Sequence, residues 1–436
     1  MKWLLLILFS TSLLIAHCQL PIKNQWTLEQ CIDSALQNNK AIQMSGINVN
    51  KAEITLKATN FNFMPTVNGG ATHGYNFGQT IDPFTNTFAN SRVQYNNFYL
   101  NSSVTLFGGL EKYHAKKIAE VDYQSQQYNL EIERRNKSID VTLAFLKAKL
   151  NSEIAEVAKQ QRSLTQSQKE RTEELVNAER ITNSDLLKIE AQLAKDSYTL
   201  TKANNELKSS LLQLQQLIGI DYNTSFVLAN KQVAKVSQDG SNSGNSTPLE
   251  AKISQLNIEK QLLESKRTKS QLSPSFVLNG SVGSGYSENN KFVDPNGEFI
   301  PKPFGDQLNE NFYQSVSATL SIPIFNGYKT SSQIKINKLE LERVRVEGEQ
   351  SLLEYDNRVQ QFKMNVSNAI SLYESAKQLQ VSSKLEFENS QIKYDNGVIN
   401  FVEFMESKDT FFKAESEMIQ AKYQLEFSRL VLGWFE

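Results

Sequence analysis

After its first segment the chain holds few residues able to do chemistry. Glu403 and Glu406 stand three apart beyond Gly397, with Tyr394 ahead of the glycine, and Asp185 holds a comparable place after Arg180 and Ile181. Acids spaced by three share a helix face and can attract cations. Acids in the first turn of a helix are also what its dipole favours, with no further role implied. His73 and His114 lie far apart and read as strand or helix surface residues, not as a ligand or a base. Beyond Cys18 there is only Cys31, so neither an intrachain disulfide nor a cysteine-based metal cluster is expected. No Gly-rich phosphate loop precedes a helix, and there is no G-x-S-x-G elbow. The expectation is a protein that is not an enzyme, with no catalytic residue, cofactor or metal.

The elements that position these residues are duplicated. In Phe98 to Val121 a two-residue alternation, with Phe98, Leu100, Val104 and Leu106 opposed to Asn101, Ser103 and Thr105, gives way at Gly108-Gly109 to a helical spacing of apolar residues. In Phe312 to Ile336 the same change recurs, with Val316, Ala318, Leu320 and Ile322 opposed to Ser315, Ser317, Thr319 and Ser321. Phe325 and Gly327 repeat Phe107 and Gly109 at an offset of 218 residues. Two structural repeats are therefore expected, 19–229 and 248–436, joined by a linker at 230–247 with QDGSNSGNS at its centre.

Lys2, the apolar run Trp3 to Ile15 and small residues before Gln19 read as a signal peptide over residues 1–18. Cys18 leaves lipidation open as the alternative to removal, although His17 stands where a lipoprotein signal prefers a small residue. A net charge of −1 gives no basic excess for nucleic acid. No later apolar run reaches the ~18 residues a membrane helix needs, so any membrane crossing is by strands.

Each repeat carries a hairpin, 65–107 in the first and 274–323 in the second, with strands of the length that crosses an outer membrane at a tilt. Long polar loops, Gly78 to Arg92 and Ser287 to Asn311, separate the strands. Thr27 and Gln30 have capping-box spacing, opening a helix expected to run through Asn38-Asn39 as far as Phe61. Each hairpin leads to a helix pair, 110–218 and 328–434, whose first member spans roughly 100 Å. Ser184 is the expected N-cap of the first return helix, and Thr247-Pro248-Leu249-Glu250 a capping box. The apolar stripes are narrow, as in helices wetted on two sides.

Four strands cannot close a barrel, and open edges in lipid cost several kcal/mol per unpaired group. Two copies give eight strands with a filled interior, whereas three give twelve and leave a lumen. The expected fold class is membrane α/β: four strands per chain in a trimeric 12-stranded outer-membrane β-barrel, continued by a long α-helical barrel across the periplasm. Gly108, Gly109, Pro323 and Gly327 mark the strand-to-helix junctions.

With WTLEQCIDSALQNN, FMPTV, LSPSF, TLFGG, IPIFNGY and YDNGVINFVEFMES in this duplicated order, the chain resembles the TolC-type outer membrane efflux proteins over essentially its whole mature length. The resemblance implies a homotrimer in the outer membrane of a diderm bacterium, reaching into the periplasm. It also implies a periplasmic adaptor and an inner-membrane pump of RND, ABC or MFS type as partners, beside outer-membrane lipid, and passive conduction of substrates in efflux or type I secretion. Tyr394, Gly397, Glu403 and Glu406 then match the periplasmic gate, where three-fold symmetry would gather the carboxylates into rings. Ile399 stands where an Arg can occur in the family, a departure from an arginine-centred lock. Arg180, Ile181, Asp185, Leu186, Val398 and Ile399 would face the adaptor. A non-transporting trimeric strut or adhesin is the alternative function, and the substrate is not readable from the sequence.

Overall fold

The computed structural model describes residues 25–82, 84–86, 88–89, 92–221, 224, 226–229 and 247–435. The expected signal peptide with Cys18, and the linker short of Thr247, lie outside the described residues. In chain order the elements are β1 (Gln25–Trp26), α1 (Leu28–Asn38), α2 (Lys40–Phe61), β2 (Thr66–Asn76), β3 (Thr80–Ile81), β4 (Phe88–Ala89), β5 (Val93–Gly108), α3 (Glu111–Asn177) and α4 (Asn183–Ile218). There follow β6 (Val227–Leu228), α5 (Leu249–Ser270), β7 (Ser275–Ser287), β8 (Lys291–Val293), β9 (Phe299–Pro301), α6 (Phe304–Glu310), β10 (Tyr313–Ser321), α7 (Lys329–Asp395) and α8 (Phe401–Gly433). No helix among the described residues is long and apolar enough to cross a membrane.

Two compact units interleave segments of both repeats. One holds 44–133 and 245–358, the other 134–244 and 359–436 with the N-terminal residues to 43. The first unit carries the antiparallel sheet, in the order β10-β7-β5-β2. Register puts Val67 opposite Ser102, Ala71 opposite Phe98, Leu100 opposite Val282 and Val316 opposite Gly280, so the apolar residues of all four strands share one face. A bulge between Thr105 and Phe107 breaks the β5–β7 register just before the junction. At the edges, β2 and β10 pair with no further strand among the described residues.

Both junctions turn in the same way. Gly109 and Leu110 take φ +63° and +67°, and Gly327 and Tyr328 take +65° and +61°, so the 218-residue repeat extends to a pair of left-handed residues. Such a pair redirects the chain from strand to helix, and glycine occupies its first place without a Cβ penalty. Gly108 and Pro323 are not in this conformation. A Cβ on Gly109 would also stand 2.5 Å from the Ser270 carbonyl oxygen, whereas one on Gly327 would meet nothing within 4 Å. Gly109→Ala should therefore cost more than Gly327→Ala, about 2–3 kcal/mol against ~1 kcal/mol. Thermal melting of the two variants checks the order.

In the second unit α1 buries Leu28, Cys31, Ile32 and Ala35 against Val141, Phe145, Leu214 and Ile218. Burial pushes the Cys31 thiol up to about 12. Thr27 and Gln30 form the expected capping box. The helix does not run through Asn39, which is extended, with its carboxamide oxygen accepting the Ala41 N–H at 2.9 Å. A short acceptor that can cap a new helix competes with continuing the old one. Two further expectations are corrected. Thr182, not Ser184, caps α4, and Pro248 is itself the cap residue of α5, without a side-chain cap. The expected polar loops contain the β3–β4 and β8–β9 pairs and α6.

Candidate functional site: the helix turns and the buried ion pair

The α7–α8 turn is built from its own backbone. Gly397, at φ +71°, donates its N–H to the Tyr394 carbonyl at 3.0 Å, and Val398 donates to Lys393 O at 2.8 Å. These bonds satisfy the last carbonyls of α7. Asn400 then caps α8: its carboxamide oxygen accepts the Glu403 N–H at 3.0 Å, and its amide donates to the Glu403 carboxylate at 2.6 Å. Glu403 and Glu406 remain on the exposed face of α8. Tyr394 points elsewhere. It stacks on Phe404 at 4.8 Å, and burial pushes its phenol upward, against the opposing pull of Arg171.

The α3–α4 turn is made similarly. Glu179 takes φ 54°, and Arg180 donates its N–H to Leu175 O at 2.9 Å. Asp185 accepts Lys188 Nζ at 3.0 Å and the Thr182 hydroxyl at 2.9 Å, which hold its carboxyl below the usual range. The two turns meet through side chains. Leu186, Ile399, Tyr394 and Phe401 pack on Ile189, Phe387, Phe404 and Met405, while Val398 is 70% exposed. Ile399 thus takes the place of a charge with an apolar contact. An arginine does reach this turn, from α3: Arg171 ion-pairs with Asp395 at 2.5 Å. Of the expected gate and adaptor residues, the structure brings Tyr394, Leu186 and Ile399 together in a core and leaves Glu403, Glu406 and Val398 facing outward.

Further along the same helices lies a buried polar cluster that the sequence analysis missed. Lys408 of α8 is 0% exposed and donates to Asp196 of α4 at 2.8 Å and to the Thr165 hydroxyl of α3. Asp196, 1% exposed, also accepts Thr165 Oγ1 at 2.6 Å, Gln192 Nε2 at 2.9 Å and Gln161 Nε2 at 3.0 Å. Burial pushes the Lys408 ammonium down from the lysine range, while Asp196 opposes that shift. A signal was present in the sequence: Ile189, Asp196, Ala203 and Ser210 recur every seven residues, placing an acid at a seam position.

The model of a family described as outer membrane efflux protein matches residues 31–220 and 244–432. The chain belongs to the outer membrane efflux protein family. It is 21% identical over 94% of its length, and 86% of the relative's, to the "Probable outer membrane lipoprotein SilC" of Salmonella typhimurium. Its fold matches the Campylobacter jejuni CmeC outer membrane channel with a TM-score of 0.77 at 16% identity, over 94% of this chain and 85% of that one. It matches the open state of the Neisseria gonorrhoeae MtrE outer membrane channel with a TM-score of 0.69 at 16% identity, over 94% and 88%. The efflux protein thus has the fold class expected from its strands, four per chain toward a three-chain outer-membrane barrel, together with a helical barrel. Family and fold are those of channels at the outer membrane.

Proposed function

We propose that this efflux protein is the passive exit duct of a three-part export assembly, fed by an inner-membrane pump through a periplasmic adaptor, with its gate at the α7–α8 turn. The observation that carries the duct is the register of the sheet. Most Ser, Thr and Asn of the four strands fall on one face, and Val, Leu and Ala gather on the other, as a wall between water and lipid requires. Because β2 and β10 are edges, other copies complete the wall. The exposed carboxylates of Glu403 and Glu406 supply the gate's charge, with three copies placing them around one axis. Arg180, Ile181, Asp185 and Val398 offer the adaptor a surface of two charged and two apolar residues, on the core that holds Leu186 and Ile399.

Conductance in planar bilayers tests this. The trimer should give cation-selective current, whereas a strut would give none. In the double variant Glu403→Gln, Glu406→Gln, conductance should rise. The cation-to-anion permeability ratio should fall roughly tenfold, equal to ~1.4 kcal/mol of lost electrostatic preference. Unchanged selectivity would remove these carboxylates from the gate.

A further inference from the structure

The polar face of the sheet carries no Asp, Glu, Lys, Arg or His along β2, β5, β7 or β10; His73 lies on the opposite face, paired with Asn96. What interrupts the Ser, Thr and Asn is tyrosine, and each tyrosine lies opposite a glycine. Tyr95 pairs with Gly74, Tyr99 with Gly70, and Tyr313 with Gly283. One row across the sheet therefore reads Gly70, Tyr99, Gly283, Tyr313. A Cβ on any of these three glycines would stand 2.5–2.8 Å from its tyrosine's ring or hydroxyl, so the rings lie down against the strands. Glycine covered by a cross-strand aromatic is stabilising on its own account. That explains the pairs but not the space above them.

At the outer end of this face a fourth aromatic joins the three tyrosines. Phe84, from the loop between β3 and β4, lies over Gly285, where a Cβ would meet its ring at 1.9 Å. Its position is fixed from below. The Asp82 carboxylate, 1% exposed, accepts the N–H groups of Phe84 at 2.9 Å and Thr85 at 3.0 Å and the Ser287 hydroxyl. Ser287 is held in turn by Gln307, which accepts its N–H at 3.0 Å and donates to its carbonyl at 3.0 Å. Asn311 donates to Gly285 O at 2.7 Å. Phe84, Tyr95, Asn97, Asn311 and Tyr313 line an open pocket of about 400 Å³.

We propose that this space is a binding site for planar aromatic organic molecules leaving through the barrel. The proposal rests on the exit-duct function and names its substrate class. Three rings offer faces and edges for stacking, and two carboxamides and two phenols offer neutral donors and acceptors. The site has no carboxylate, thiolate or imidazole with which to hold a metal ion. A barrel wall whose four strands carry no fixed charge on this face admits uncharged and cationic rings alike. Aromatic contact then gives a weak last foothold that favours ring systems over equally polar aliphatic solutes.

The test is binding of caffeine, a planar uncharged ring system, to the full-length trimer in nanodiscs, followed by saturation-transfer NMR, with glucose as the aliphatic counterpart. Caffeine should bind and glucose should not. Phe84→Ala, which changes only a loop residue, and the double variant Tyr95→Ala, Tyr313→Ala should each weaken caffeine binding at least about tenfold. Asn101→Ala, lower on the same face, should leave it unchanged. Absence of caffeine binding to the wild type, equal binding of glucose, or undiminished binding in both Phe84→Ala and the tyrosine double variant overturns the site. Conductance of the same preparation separates the two claims: a trimer that conducts ions but binds no caffeine loses the site and keeps the duct. A trimer that binds caffeine but never conducts supports the site and removes the duct.

Discussion

Lys408→Met is expected to destabilise the helical unit by about 3–5 kcal/mol, although it changes no residue at either turn. The substitution leaves the Asp196 carboxylate, 1% exposed, buried without its cation. Gln161, Gln192 and Thr165 still donate to it, which favours the lower end of that range. Asp196→Leu should cost a similar amount for the mirror reason. The double variant Lys408→Met, Asp196→Leu should recover most of the loss, because replacing a buried pair with apolar groups of like volume is often neutral or stabilising. The neighbouring pair Lys195–Asp409 makes the comparison. Its side chains are 63% and 38% exposed, and Lys195→Ala should cost under about 1 kcal/mol. Thermal melting of the helical circular dichroism separates the four variants. If Lys408→Met melted with the wild type, the buried pair would carry no stability. A buried pair that apolar residues could replace has another use: it fixes which turn of α8 faces α3 and α4. A slip by one heptad would put Lys408 against an apolar seam.

How much of this could be read in advance follows from where the physics is local. The strands were legible because lipid and water impose a two-residue alternation, which Val316 to Ser321 obeys throughout and Val67 to Tyr75 obeys except at His73, on the apolar face. The long helices were legible, the expected start at 110 falling beside the observed Glu111, since Gly109 and the turn after Asn177 punctuate a continuous pattern. Asn39 was not, because an Asn can either continue a helix or cap the next one, and only the docking of α1 on Ile218 and Phe145 decides. At the turn, Glu403 was legible as a first-turn acid and Gly397 as the turn glycine, while the cap, Asn400, was not. The Tyr394–Phe404 stack, Arg171–Asp395 and Lys408–Asp196 were not, since each joins residues brought together only by the packing of helices. The tyrosine-over-glycine pairs needed strand register, which alternation alone does not supply.

The second large effect expected is on opening, and it comes from a bond that is weak by itself. Asp395 is the last residue of α7, where the negative end of the helix dipole disfavours an acid, and Arg171 offsets that charge from α3. With side chains 53% and 40% exposed, one such pair is worth only about 0–1 kcal/mol. Three copies opening together multiply it to as much as ~3 kcal/mol, which moves a closed-to-open ratio by up to roughly 150-fold. Arg171→Gln and Asp395→Asn should therefore each raise open probability in single-channel records by a factor in that range. Neither should shift the melting of the helical unit by more than about 1 kcal/mol per chain. Because the pair is exposed, added salt should weaken it. Raising KCl should open the wild type progressively and change Arg171→Gln little. Equal open probability in wild type and both variants at low salt, or the same salt response in all three, would show that the turn is held shut by its apolar core of Phe387, Tyr394 and Phe404 and not by this bond.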